Sequence, residues 1–334
     1  MRKLLIFLLL AATFSVAAQQ GNPKYPEGTV FPPGQTPIHD PSMIKEADTF
    51  YLFATGQGIS VLSSKDAKSW TKEKPVFETA PDWTASCATD FKGHIWAPDI
   101  SFHKGLFYLY YSVSSFAKNS SCIGVAVNRT LDRSSPEFGW VDKGRVLQSV
   151  PNRDMWNAID PNLVFDEEGV PWLAFGSFWE GIKLVKMNPN LLRPAEGEIW
   201  YSVARRKRDF DLADALPGNG AVEAPFIYKK GDFYYLFISV DYCCRGEKSD
   251  YKIVYGRSQK INGPYLDRQG RDLIEGGGTI LRQGDKNWYG VGHNAVYKVG
   301  DREYLIYHGY DAKDKGRSKL LIGELSWTPD GWPK

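Results

Sequence analysis

The chain has 334 residues and is nearly charge-balanced, with 41 Lys and Arg against 39 Asp and Glu and a formal net charge of +2. That balance excludes the basic surface a nucleic-acid binder needs. Aromatic residues make up 14%, with 11 Trp, enough to fill β cores and leave a few rings free to stack on sugars.

Residues 1–18 read as a secretory signal peptide. Arg2 and Lys3 precede an apolar run from Leu4 to Leu10, and small residues follow around Val16–Ala18. The apolar run is too short to span a bilayer, and no stop-transfer stretch follows it. This predicts export to the periplasm or the medium, with no membrane span. Losing Arg2 and Lys3 would take the net charge from +2 to zero. Residues 19–36, rich in Pro and Gly, read as an extended leader.

From residue 37 to 334 one pattern recurs five times. A start residue beside Pro or Asn is followed about ten residues later by an aromatic and apolar strand. In chain order the copies run from Asp40-Pro41-Ser42 to Phe50–Phe53, from Trp96-Ala97-Pro98-Asp99 to Phe107–Tyr110, and from Asp160-Pro161-Asn162 to Trp172–Phe175. The last two run from Glu223-Ala224-Pro225-Phe226 to Tyr234–Phe237, and from His293-Asn294-Ala295-Val296 to Tyr304–Tyr307. With Pro41, Pro98, Pro161, Pro225 and Asn294 as equivalents, the intervals are 57, 63, 64 and 69 residues.

A second β-rich run follows in each copy, such as Ile59–Leu62 or Ile253–Tyr255. Lys104-Gly105, Glu168-Gly169 and Lys230-Gly231 punctuate the hairpins. A period near 60 residues suits a four-stranded antiparallel blade, so the expected fold is all-β, a five-bladed β-propeller. A β-sandwich gives no reason for five matched starts, and a parallel β-helix has a much shorter period.

Start positions in a closed ring face one axis, so Asp40, Asp160 and Glu223 should converge there beside Trp96 and His293. Three carboxylates around one channel repel, which raises at least one pKa and keeps a proton near neutrality. A protonated carboxyl facing an ionised one is the pairing that glycoside hydrolysis uses. A gap of about 6.5–9.5 Å admits water and gives inversion, whereas about 5–5.5 Å gives a covalent intermediate and retention. Each motif alone also suits an ordinary turn; the matched positions favour chemistry.

Four cysteines allow three pairings. Cys87 and Cys122 could pair, while adjacent Cys243 and Cys244 read as thiols near a loop. Arg205–Arg208 reads as a solvated loop.

The strings His39-Asp40-Pro41-Ser42, Trp96-Ala97-Pro98-Asp99-Ile100, Ala158-Ile159-Asp160-Pro161-Asn162, Phe175-Gly176-Ser177-Phe178-Trp179, Val222-Glu223-Ala224-Pro225-Phe226 and Gly292-His293-Asn294-Ala295-Val296 resemble those of glycoside hydrolase family 43, in its endo-α-1,5-L-arabinanase branch. The resemblance spans the chain from Pro37 onward. It implies a five-bladed propeller and an inverting mechanism acting on arabinan, a neutral polymer suited to a neutral chain. By position it implies Asp40 as general base, Glu223 as general acid, and Asp160 as the residue that raises the acid's pKa and orients it. It also implies that His293 touches a hydrated calcium ion in the channel.

Trp96, Asn157, Ser177, Phe178 and Trp179 are the candidates for sugar contact, with blade packing as the alternative for the aromatics. Glu180 stands where the branch often has Gly, which adds a charge near a subsite. Asp241-Tyr242-Cys243-Cys244-Arg245-Gly246 also resembles the branch. The expected protein is a secreted endo-acting arabinanase that works as a monomer. An exo-acting α-L-arabinofuranosidase or β-xylosidase of the same fold is the enzymatic alternative. A non-catalytic carbohydrate-binding propeller is the other, which the three carboxylates disfavour.

Overall fold

The computed structural model describes residues 25–334 apart from Thr89 and Glu198. The signal expected over residues 1–18, and the leader up to residue 24, lie outside the described residues.

Five antiparallel sheets follow one another along the chain, each with its first long strand innermost. Blade 1 runs outward from Ser42–Glu46 through Thr49–Ala54 and Ser60–Ser64 to Trp70–Glu73. Blade 2 starts at His94–His103, blade 3 at Asn162–Phe165, blade 4 at Val222–Lys230 and blade 5 at Trp288–Val299. The innermost strands touch in that order and the last meets the first, so the ring closes. This is the expected five-bladed propeller. Among the described residues, no helix is long and apolar enough to cross a membrane.

Side chains alternate across a strand, and each blade is covered on both faces by its neighbours, so the middle strands are apolar on both sides. Ser121–Asn128 is buried at every position. Five apolar clusters result, one at each junction between successive blades. In the cluster that closes the ring, Leu52 and Trp70 of blade 1 meet Ile306 and Leu320 of blade 5. Burying each such side chain contributes about 1.5–3 kcal/mol, which makes the junctions the main source of rigidity at the axis.

The described part of the leader is structured. Val30–Phe31 pairs with Trp70–Glu73 as an outer fifth strand of blade 1, and Phe31 and Tyr25 join the apolar cluster behind it. Blade 5 has three strands of its own. Residues 36–38 run along Arg317–Glu324 through a Pro37–Lys319 bridge, with Ile38 N–H donating to Ser318 and Leu320 N–H donating to Thr36. The N-terminal segment thus latches the last blade to the first.

Asp99 spans three blades. It accepts the Ser42 hydroxyl of blade 1, and the Asn162 amide group and Leu163 N–H of blade 3. Burial pushes its pKa up to about 7, against those hydrogen bonds. It borders a cavity of about 360 Å³ that Ser42, Asn162, Phe226, Tyr228 and Tyr297 also line.

Cys87 and Cys122 are paired. Cys243 and Cys244 are also paired, which corrects the expectation of two thiols. Cys244 has a left-handed backbone, φ +63°, and this folds the loop so that the neighbouring side chains meet. The Arg205–Arg208 run differs from a simple solvated loop as well. Arg208 donates to the carbonyls of Asp209, Leu212, Ala213 and Leu216 and staples the long connection before blade 4.

Candidate active site

The five starts share a backbone feature. Asp40, Ala97, Asp160, Ala224 and His293 have φ of +53°, +43°, +57°, +54° and +53°. In four of them the next residue is Pro, whose ring disfavours the right-handed helical region for its predecessor. A non-Gly residue in the left-handed region costs about 1–3 kcal/mol and persists only where its surroundings over-determine it. The strict equivalence is therefore Asp40, Ala97, Asp160, Ala224 and His293. Trp96 and Glu223 stand one residue earlier than their assumed partners, and the strand registers break at the left-handed residues Ala97, Ala224 and His293 alike.

What holds the left-handed residues is a second repeated series. The N–H of Ala97 donates to Thr55 Oγ1 at 2.8 Å, that of Asp160 to Ser112 Oγ at 3.0 Å, and that of His293 to Ser239 Oγ at 2.8 Å. The N–H of Asp40 donates to His308 Nδ1 at 3.2 Å. In blade 4 the N–H of Ala224 goes instead to Asp160 Oδ2 at 3.0 Å. Ser177, the remaining member of the series, donates to Glu223 Oε2 at 2.8 Å.

The expected convergence is present: Asp40, Asp160, Glu223 and His293 influence one another's ionisation. Asp40 Oδ2 lies 2.5 Å from the Thr55 hydroxyl and 2.8 Å from His39 Nδ1, and Oδ1 lies 3.1 Å from His293 Nδ1. Burial works against its ionisation, but the His39 and His293 imidazoles more than offset this and hold Asp40 well below the usual carboxylate range.

Burial, together with the charges of Glu223 and Asp40, pushes Asp160 up to about 8 against the pull of His293. Glu223 is also raised, by burial first, although hydrogen bonds from Tyr251 at 2.7 Å and Ser177 oppose the rise. Asp160 and Glu223 titrate as a pair and retain a proton at neutral pH. His293 loses by burial but gains more from Asp40, reaching about 9. One firmly ionised carboxylate beside a proton-holding pair can take a proton from water and give one to a leaving group.

The sugar-contact candidates separate. Trp96 is half-buried, its indole donating to His94 Nδ1 at 3.0 Å. Phe178 is half-buried, its ring 6.0 Å from that of Tyr242. These two keep accessible faces. Trp179 does not: it is 1% exposed and its indole donates to Asp214 O, so it packs the loop rather than stacking on a sugar. Asn157 is buried with its Oδ1 unpartnered, and Ser177 is buried with its hydroxyl committed to Glu223. Neither offers a free surface to substrate. The extra charge at Glu180 is directed to Arg205 at 3.2 Å.

For calcium, His293 commits Nδ1 to Asp40 and shows no partner for Nε2 among the described residues, and next to it the side-chain Oδ1 of Asn294 is buried without a partner. The Asn294 oxygen suits a cation whose other ligands are water oxygens, and His293 Nε2 could join it only by giving up the proton that it otherwise holds to about pH 9. His39, Asp40 and His308 also bring ligand atoms within 4.8 Å of one another, but His308 Nδ1 already accepts the Asp40 N–H.

Sequence reasoning missed His39, Tyr251, His308 and Tyr310 as partners of the carboxylates. A signal existed for one of them. Thr55, Ser112, Ser177, Ser239 and His308 fall at intervals of 57, 65, 62 and 69 residues, nearly those of the start series.

Comparison with known proteins agrees with this geometry. The profile of glycosyl hydrolases family 43 matches residues 32–333. An extracellular exo-α-(1→5)-L-arabinofuranosidase of Cellvibrio japonicus is 51% identical over 90% of this chain and 86% of that relative. An extracellular endo-α-(1→5)-L-arabinanase of Bacillus subtilis is 44% identical over 89% and 87%. The solved structure of a Cellvibrio cellulosa α-L-arabinanase complexed with arabinohexaose superposes with a TM-score of 0.88 at 50% identity, covering 90% of this chain and 95% of that one.

Proposed function

The chain belongs to glycosyl hydrolase family 43 and is a glycoside hydrolase; from that premise we propose that it cleaves α-1,5-L-arabinofuranosyl linkages of arabinan with inversion. The observation that carries this reading is the buried Asp160–Glu223 pair holding a proton beside an Asp40 kept ionised by two imidazoles.

Asp40 takes a proton from water as that water attacks the anomeric carbon. Glu223 gives its proton to the departing glycosidic oxygen on the opposite face. Asp160, anchored by the Ala224 N–H, shares the pair's proton with Glu223; with that proton on Glu223, the Asp160 carboxylate disfavours a second negative charge beside it until the leaving oxygen takes the proton. After the bond breaks, Asp40 holds a proton and Glu223 has lost one, and exchange with solvent restores both. His293, with Asn294 and water, would hold calcium, whose positive charge would offset that of the carboxylates. Trp96 and Phe178 supply the sugar-stacking faces.

Endo action is the first reading. The exo-acting Cellvibrio relative at 51% identity favours a second, in which short products leave from a chain end. Export is supported by the signal-like composition of residues 1–18 and by the two relatives named as extracellular. One chain carries the whole site, which supports action as a monomer. Linear arabinan, debranched oligosaccharides and aryl xylosides assayed side by side test the reading. Internal cleavage gives a ladder of products and terminal release a single short one. Activity confined to aryl xylosides would overturn the substrate.

A further inference from the structure

Asp40 lies in a closed circuit of hydrogen bonds whose proton positions follow from donor and acceptor chemistry. Its backbone N–H meets His308 Nδ1 at 3.2 Å. An amide N–H can only donate, so this ring nitrogen accepts. His308 is 0% exposed, and burial holds its pKa well below the ordinary value. It is neutral, with its single ring proton on Nε2. That nitrogen faces the Tyr310 hydroxyl at 3.3 Å, and the N–H of Cys244 reaches the same oxygen at 2.7 Å.

Two donors occupy both lone pairs of the hydroxyl. Its own proton then points to His39 Nε2 at 2.9 Å; Cys244 Sγ, 3.9 Å from the hydroxyl and 3.7 Å from His39 Nε2, is a weak partner for either, and the nearby Ser249 oxygen already accepts the Arg245 N–H. With Nε2 accepting, the His39 proton sits on Nδ1, 2.8 Å from Asp40 Oδ2. The circuit begins at the amide of Asp40 and ends at its carboxylate.

We propose that Tyr310 is a positioning residue that fixes His39 as a donor through Nδ1 and thereby aligns the Asp40 carboxylate on the attacking water. This rests on Asp40 being the general base. The Cys243–Cys244 pair has a structural part in it, because the Cys244 backbone supplies one of the two donors that set the hydroxyl. The opposite tautomer of His39 would place a second ring N–H against an oxygen already filled and turn a bare Nδ1 lone pair toward a carboxylate. In this circuit the His39 Nε2 and His308 Nδ1 lone pairs are each committed to a hydrogen bond. His39 and His308 stack with ring centroids 4.0 Å apart, which restrains both imidazoles.

The test begins on the full wild-type chain labelled with 15N-histidine, where ring nitrogens with and without a proton give separate NMR signals. His39→Gln and His308→Gln variants assign them. The expected result is opposite tautomers, Nδ1–H on His39 and Nε2–H on His308. The same tautomer on both rings, or a proton on His39 Nε2, overturns the proposal. Tyr310→Phe should abolish the single-tautomer pattern of His39 and lower kcat on linear arabinan about tenfold, the scale of one buried hydrogen bond, with KM within twofold. If either the His39 pattern or kcat stays as in wild type, the proposal fails. The nitrogen signals are read without substrate, so a wild-type chain inactive on every arabinan would count against the proposed substrate and leave the circuit standing. A Tyr310→Phe chain that does not fold leaves the wild-type tautomers as the deciding result.

Discussion

Replacing Tyr251 with Phe removes one oxygen and keeps the ring. That ring is 1% exposed and lies so close to Gly292 that a Cβ there would sit 2.0 Å from Tyr251 Cδ1, so Phe preserves the packing. What is lost is the donor to Glu223 Oε1 at 2.7 Å. A hydrogen bond to an ionised group contributes about 1.5–3 kcal/mol, and this one favours the ionised form of Glu223. Its removal makes Glu223 hold its proton more tightly. At about 1.36 kcal/mol per pH unit, the basic limb of the kcat/KM profile should move up by about one to two units. The sign follows from the role: a general acid works while protonated, so a variant that keeps its proton longer stays active to higher pH. Reducing-end release from linear arabinan across the pH range, with circular dichroism to confirm the fold, measures it. A basic limb that stays in place or moves down would refute the assignment of Glu223 as acid.

Glu223→Gln should lose about 10²–10⁴-fold in kcat on arabinan and much less on an aryl arabinofuranoside whose phenol leaves without a proton; equal losses on both substrates would contradict the acid role. Gly292→Ala forces a methyl into the Tyr251 ring and should cost at least about 1–3 kcal/mol, read as a lower urea midpoint; a wild-type midpoint would show that the contact is not tight. Asp99 has its folded pKa raised to about 7 by burial, above an unfolded value of about 3.9. Between those values the native chain binds the extra proton, so this group's contribution to stability is present at low pH and is lost as pH rises through about 7. Asp99→Asn should flatten the fall of melting temperature over that window, and parallel slopes in both proteins would contradict it.

The ring was legible because the hydrophobic strands and their Pro-marked starts recur at nearly constant spacing, and two of the three carboxylates, Asp40 and Asp160, stand at strictly equivalent left-handed positions. Glu223 precedes the equivalent position, which Ala224 holds before Pro225, and that its carboxylate still reaches the mouth shows only in the folded strand. The hydroxyl series from Thr55 to Ser239 was present at the same spacing, but Ser and Thr at strand ends have many roles. Trp179 could not be told from Phe178 in sequence. Adjacent aromatics look alike, and only the loop ending at Pro217 decides which one it covers. His39, Tyr310 and Cys244 come from blades 1, 5 and 4, and their circuit exists only once the ring is closed. The leader looked loose because Pro and Gly are frequent there, yet its apolar residues Tyr25 and Phe31 find a partner in the junction between the last blade and the first.

The central claim is that Asp40 and Glu223 act on opposite faces of one glycosidic bond, and the anomeric configuration of the first product tests it most directly. Proton NMR of linear arabinan during the earliest turnovers, before mutarotation, should show the new reducing end as the β-anomer. An initial α-anomer would mean retention through a covalent intermediate, and the division of labour between Asp40 and Glu223 would be wrong.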